Sequence, residues 1–373
     1  MEQDMKFPFV AKASLFFIGS FAFISMLYIG RGIILPLIFA VIAGIVLHPV
    51  VNFLTQFKIN RVVAIIITLV VIISVILGFG SFLGSQIARF SDSWPAMIEK
   101  FTGYFNETVT WASGNFDISP KKILDWFVKT ESELISSSGS AIGSTLLNIG
   151  NGLVVILLVP VYTFMFLYYH PLLIEFFRRL FGVSNRTKVN SIITQVKTVI
   201  QHYLTGLFFE FVIMAGLNTI ALLLLGIEYA LLLGIIGALL NVIPYIGGLV
   251  AVAMPMMVAL VTKDSSWYPL YVLAAYYFIQ LIDNNYIVPK VVASKVKINA
   301  LVSIIVVLAF GALWGIPGMF VSIPLTAIVK LIFDHIEPLK PWGFLLGDTM
   351  PPLAIFKIKI KKVTLPGTTI LKM

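Results

Sequence analysis

The sequence predicts an all-α, polytopic helical membrane protein with about eight membrane segments, including two Pro/Gly-broken re-entrant hairpins in an inverted repeat. Apolar residues fill 59% of its 373 positions. Charged residues make up 12%, about half the share found in soluble domains, so polar side chains cannot coat a globule of this mass. The apolar residues also gather in long uncharged windows of the length that a hydrocarbon core of ~30 Å requires.

Taken in order, Ala13–Gly30 follows Lys6 and Lys12 in the manner of a signal peptide. It is long for that role, has no small-residue cleavage site and leads straight into Gly32–Val51, so it reads as a retained anchor. Val62–Ala88 and Asn148–Tyr169 complete a first group of four windows. Leu207–Gly226, with Glu210 near its start, and Trp267–Ile282 are two further spans, and Tyr229–Val261 and Ile298–Val329 are two longer uncharged stretches.

Loop charge sets the orientation. Arg89–Asn148 holds five basic residues against seven acids, whereas His170–Gly206 holds five against Glu175 alone. The second loop is therefore cytoplasmic and the first external, which places both termini inside. The formal charge of +9 belongs to this asymmetry and not to a nucleic-acid partner. Both loops carry an apolar helical stripe. Val189, Ile192, Ile193, Val196, Val199, Ile200, Tyr203 and Leu204 form the inner one, to be covered by headgroups, by the protein itself or by a second subunit. Phe90, Trp94, Met97, Ile98, Phe101 and Phe105 form the outer one. The expected organisation is 1–88, amino-terminal spans; 89–147, external helical segment; 148–205, a span with cytoplasmic amphipathic helices; 206–345, transport core; and 346–373, a cytoplasmic tail that is strand-like over Ala354–Ile360.

Tyr229–Val261 has 33 uncharged residues, which as one straight helix would measure ~50 Å against ~30 Å of hydrocarbon. It breaks at Asn241-Val-Ile-Pro-Tyr-Ile-Gly-Gly248, where Pro244 lacks an N–H and Gly247 and Gly248 permit backbone angles foreign to a helix. Ile298–Val329 repeats the design at Gly315-Ile-Pro-Gly318, with Pro317 inside the break and Pro324 beyond it. With the orientation above, a span followed by a broken hairpin occurs twice, once from each side of the membrane. Such paired interruptions point to a substrate site near the midplane. Two ordinary helical hairpins packed through glycine are the plain alternative.

Between the hairpins lies the polar cluster Gln280, Asp283, Asn284 and Asn285, followed by Tyr286 and Pro289. Lipid penalises such groups unless they find partners, water or ligand; helix-end capping is the alternative role. Glu210 is the other carboxylate within a span and sits about one turn from its cytoplasmic end, where snorkelling or pairing with a loop arginine competes with a coupling role.

With Asn241–Gly248, Gln280–Pro289 and Gly315–Gly318 followed by Pro324, the chain resembles the autoinducer-2 exporter family of bacterial membrane permeases over roughly residues 10 to 345. Gly248 stands where the familiar pattern has proline. The resemblance implies paired re-entrant elements, a homo-oligomer such as a pentamer, and a place in the bacterial cytoplasmic (inner) membrane. It also implies export of a small solute, the quorum-sensing signal in some members and sodium- or lithium-proton exchange in others.

Two functions follow as expectations. The first is a secondary exporter of a small polar solute working by alternating access, its site formed by Asn241, Pro244, Tyr245, Gly247, Gly248, Gln280, Asp283, Asn284, Asn285, Pro289, Gly315, Pro317 and Gly318. Asp283 and Glu210 are its candidate coupling residues for H+ or Na+. The second is a sodium(lithium)/proton antiporter with Asp283 as the exchanging carboxylate. Catalysis is not expected: there is no Cys, the four His are scattered outside any metalloprotease motif, and no phosphate-cradling glycine loop occurs. No cofactor or metal centre is expected either.

Overall fold

A computed structural model describes residues 8–115, 157–182, 185–243, 247–265, 267–292 and 297–350. Pro244 and Tyr245, residues 116–156 of the external segment and the fourth window, and the expected strand in the tail lie outside the described residues. The regular elements described are all helical, as they must be where lipid offers the backbone no hydrogen bonds. They are α1 (Phe9–Ile29), α2 (Arg31–Gln56), α3 (Arg61–Asn115), α4 (Leu157–Tyr168), α5 (His170–Leu180), α6 (Arg186–Leu224), α7 (Ala230–Asn241), α8 (Gly247–Thr262) and α9 (Tyr268–Ile282). A π-helical segment, Asp283–Val292, extends α9, and α10 (Ala300–His335) and α11 (Lys340–Leu346) follow.

Helices α1, α2, α3, α6 and α10 are long and apolar enough to cross a membrane, and α4 with α5, bent by 65° between them, makes a sixth span if the two count as one. Among the described residues the eight sequence windows thus show five or six spans by length and composition. Helices α7, α8 and α9 have 12, 16 and 15 residues and as helices reach only ~18–24 Å. Two of the expected boundaries fall inside continuous helices. Residues 88 and 89 are both in α3, whose 55 residues extend ~80 Å, and residues 205 and 206 are both in α6, whose 39 residues extend ~58 Å. Amphipathic stripe and apolar span share the same 3.6-residue period, so nothing at either junction ends the helix.

Each stripe has its cover within the chain. Phe90 and Met97 of α3 are buried in a cluster with Leu232 and Leu233 of α7 and Val258 and Ala259 of α8. Ser93 Oγ and Tyr229 OH share a 2.6 Å hydrogen bond, and Lys100 Nζ donates to the Val261 carbonyl at 3.5 Å. On the other stripe, Val196, Ile200 and Leu204 of α6 pack among Ile42 of α2 and Trp314 and Val321 of α10. Gln201 Nε2 donates to the Ile45 carbonyl at 2.7 Å.

The two broken stretches fold back on themselves. A β-carbon added at Gly247 would collide with the Leu240 carbonyl, across the break between α7 and α8. In α10 the break is Gly315, at φ 68° and ψ −150°. A β-carbon at Gly318 would strike the Phe310 carbonyl, although eight residues of a straight helix separate their ends by ~12 Å.

The feet of the two hairpins lie at opposite ends of α6. Residues Ile227 and Ala230, at the start of the first hairpin, cluster with Leu222 of α6, and its other foot is tied to α3 through Val261. The second hairpin ends at His335, whose Nε2 lies 3.4 Å from Gln195 Nε2 of α6. Asn299, at its start, caps α10 by accepting from Val302 N–H at 2.9 Å and donates to the carbonyls of Leu345 and Gly347. Positions 195 and 222 of α6 are ~40 Å apart along the helix.

The backbone at Gly315 lies in a region that only glycine occupies without strain. Gly315→Ala is expected to cost ~1–3 kcal/mol and to lower the unfolding temperature in detergent by several degrees, whereas Gly32→Ala, in open space on α2, leaves it unchanged.

Candidate functional site

Four helical elements bring their polar residues to one buried point. Glu210 comes from α6, Asn241 is the last residue of α7, Gln280 lies in the final turn of α9 and Asp283 opens the π-helical segment. One amide bridges the two acids: Asn241 Nδ2 donates to Asp283 Oδ2 at 2.9 Å and to Glu210 Oε1 at 3.3 Å. Gln280 Nε2 donates to the same Asp283 oxygen at 3.3 Å and to Asn284 Oδ1 at 3.4 Å. Asp283 is 1% exposed and Glu210 6%. Among the described residues neither carboxylate has an ion-pair partner, and Asp283 Oδ1 has no hydrogen-bond partner at all.

The break in the first hairpin makes this meeting possible. Asn241 stands at the helix end, where its side chain is free to turn toward α6 and α9. Gly248, across the break, lets Gln280 in close: a β-carbon there would sit 2.6 Å from Gln280 Oε1. Val242 and Ile243 at the hairpin tip pack against Tyr203 and Leu207 of α6 and Val307 and Ile323 of α10. The first tip therefore rests on the arms of the second hairpin.

Other sequence-predicted positions lie toward the outside, with Asn284 still bonded to Gln280. Asn284, Asn285 and Pro289 are exposed, and Asn285 Nδ2 turns back to its own helix at the Leu281 carbonyl, 2.8 Å away. Gly315 and Pro317 are exposed, and Gly318 is buried against Phe310 and Trp314 of its own hairpin. That tip is held by α1, to which Trp314 Nε1 donates at the Leu27 carbonyl, 3.0 Å away. Glu210, whose position near a span end suggested snorkelling, is instead an interior partner of Asn241.

A second polar layer continues the same helix faces. Asn218 lies eight residues beyond Glu210 on α6, Gly237 four before Asn241 on α7, and Tyr276 seven before Asp283 on α9, spacings that keep each pair on one face. Asn218 is 2% exposed and Tyr276 7%. A β-carbon at Gly237 would stand 3.2 Å from Asn218 Nδ2 and 3.5 Å from Tyr276 OH, so this glycine keeps open the space the two side chains face. Asn218 Oδ1, Thr219 Oγ1 and Tyr276 OH join Asp283 Oδ1 as the buried side-chain atoms without a partner among the described residues. Between the two layers sit Met214, Ala238 and Ile279, one from each of the three helices, in one apolar cluster. The seam is thus polar, apolar and polar again. Asn218 had a signal in the sequence, an amide within an apolar run two helical turns from Glu210. Tyr276 and Gly237 had none.

Among the described residues no group of acids and histidines is placed to hold a metal ion. Outside the seam the bundle is greasy: Leu224 is 84% exposed and Phe21 75%. An apolar exterior around buried ionisable groups defines a multi-pass membrane protein with an internal polar site, the plan of a membrane transporter.

The chain belongs to the AI-2E transporter family, whose model matches residues 15–337. It is 26% identical to "Putative transport protein YueF" of Bacillus subtilis (strain 168) over 341 residues, covering 88% of this chain and 89% of the relative. It is 25% identical to "AI-2 transport protein TqsA" of Escherichia coli (strain K12) over 319 residues, covering 85% and 90% respectively. The protein is a transporter of the membrane, in a family of transporters and permeases.

Since Asn241 and Asp283 share a buried, charge-assisted hydrogen bond, a double-mutant cycle of Asn241→Leu and Asp283→Leu in thermal unfolding is expected to give a coupling of ~1–3 kcal/mol. The same cycle between Asn285 and Asp283 is expected to give none.

Proposed function

We propose that the protein exports a small polar solute across the bacterial cytoplasmic membrane by alternating access, coupled to H+ or Na+ at Glu210, Asn241 and Asp283. The observation that carries the reading is the single amide at a hairpin tip that bridges two buried carboxylates from α6 and from the end of α9. Two buried anions so placed repel, and a proton or a monovalent cation relieves the repulsion. Loading or releasing that cation changes what holds the tip of the first hairpin to α6 and α9. Ion occupancy is thereby linked to hairpin position, which is what coupling requires.

Both hairpins are read as re-entrant, from opposite sides, in an inverted repeat of α6 with α7–α8 and α9 with α10. The feet at opposite ends of α6 support this, and the loop charges support cytoplasmic termini. The hairpin-bearing unit moves against a frame of the first four spans. In the present conformation, Met214, Ala238 and Ile279 close the way between the carboxylates and the Asn218–Tyr276 layer, as an apolar constriction does by excluding water. The name of TqsA points to autoinducer-2 as the solute, and a site of amides, hydroxyls and few charges suits a hydroxylated ligand. A homo-oligomer, with a pentamer as the expected form, is read as the working unit.

The second reading, a sodium(lithium)/proton antiporter, gains from the structure. An exchanger needs a carboxylate that takes up a proton and a cation in turn, and Glu210 stands beside Asp283, bridged to it by Asn241. Proteoliposome flux separates the two. Wild type is expected to carry autoinducer-2, and Asp283→Asn and Glu210→Gln to lower coupled flux at least ~10-fold. If sodium-driven proton exchange vanishes in these variants while autoinducer-2 flux persists, the antiporter reading replaces the exporter; wild type that moves neither defeats both. Gly237→Ala, which fills the second layer, is expected to slow transport while leaving the unfolding temperature near wild type.

A further inference from the structure

Four basic side chains from four elements converge where α2, α3, α6 and the bend between α4 and α5 meet. They are His48, Arg61, His170 and Lys197, all half-buried. The imidazoles of His48 and His170 lie 4.4 Å apart, centre to centre. Arg61 Nη2 donates to the Leu167 carbonyl at 2.6 Å, just before the bend. The Lys197 ammonium and the Asn52 amide each stand 3.2 Å from His48 Nδ1. An ammonium can only donate, so Nδ1 accepts and the ring proton sits on Nε2. Arg61 and Lys197 both bear electrostatically on both imidazoles.

The cluster is therefore rich in donors. Lys197 keeps two N–H groups, Arg61 most of its five, and His48 its Nε2–H. Among the described residues no acid forms an ion pair with Arg61 or Lys197, although nearby Glu175 holds Arg178, Arg179 and Arg186 at 3.1–3.7 Å. Two cations gathered beside two imidazoles without an anion repel each other, and the fold maintains the gathering through hydrogen bonds that span 106 and 149 positions of the chain. A tetrahedral oxyanion fits such a set: its oxygens accept from guanidinium, ammonium and imidazole N–H at once.

We propose that this cluster binds a phosphate group, in the first instance the phosphodiester of an acidic phospholipid. The cluster lies at the end of the bundle that carries the Lys/Arg surplus of the α5–α6 segment, and basic pockets between membrane helices on that side take anionic headgroups. A bound headgroup ties together the ends of α2 and α3, the α4–α5 bend and α6. It thereby fixes part of the frame against which the hairpins lie, and this holds whatever the protein transports.

The test is thermal unfolding of the purified protein in a neutral detergent, with added phosphatidylglycerol, phosphatidylcholine, inorganic phosphate, or chloride at matched ionic strength. Phosphatidylglycerol is expected to raise the wild-type midpoint by ~3 °C or more, with no rise from phosphatidylcholine or chloride. Lys197→Gln and His48→Gln are each expected to lose most of that shift. A rise with inorganic phosphate as well assigns the site to phosphate at large, and a rise with the lipid alone assigns it to the headgroup. A flat wild-type midpoint with both phosphate sources overturns the proposal whatever the variants do, as does an undiminished lipid shift in Lys197→Gln.

Discussion

Hydrocarbon gives a polypeptide nothing to hydrogen-bond with, and that one constraint organises the structure. It forces the described elements to be helical and penalises any place where the helix stops inside the bilayer. The chain nevertheless interrupts two apolar stretches, after Asn241 and at Gly315, and in both cases protein packs against the residues that flank the interruption, while Gly315 and Pro317 themselves are exposed. Beside the first, Val242 and Ile243 pack against α6 and the arms of α10, and Asn241 is bonded to Asp283 at the end of α9. The second is packed with α1 and α2, down to the indole hydrogen bond from Trp314 to Leu27. Such breaks cost stability and are tolerable only where something else, here a polar site, needs a helix end.

The same constraint explains the economy of that site. A carboxylate buried without a cation is expensive, and the chain places two of them on one amide. Their cost is lowered by Asn241, which donates to both, and for Asp283 by Gln280 as well. An apolar layer next to the pair and a second polar layer beyond it make occupancy and access separable quantities. The basic cluster at His48 and Lys197 is the electrostatic opposite, a gathering rich in hydrogen-bond donors with no acid paired to it among the described residues.

Much of the fold was legible because local chemistry wrote it. The break at Gly315 follows from window length and glycine freedom, and the break after Asn241 from the same arithmetic. The stripes on α3 and α6 were legible as helices, but not that each continues an adjoining span, since no residue type marks the absence of a turn. Asn241, Gln280 and Asp283 stood out as polar groups in apolar surroundings. Asn284, Asn285 and Pro289 stood out equally and lie at the periphery, because composition cannot say which side of a helix end faces inward. Tyr276 and Gly237 were invisible: a tyrosine and a glycine in a membrane helix are ordinary until each is seen facing Asn218.

What the sequence determined by itself is the solvent, the helical class, and the positions where helices must bend. These depend on hydrophobicity and backbone freedom, which act within about twenty residues of chain. Only the tertiary structure decided that Glu210 meets Asp283 through Asn241, that the two hairpins stand on opposite ends of α6, and that Lys197 reaches His48 across 149 positions. Those pairings arise from how helix faces pack, and packing is a property of surfaces brought together and not of any one segment.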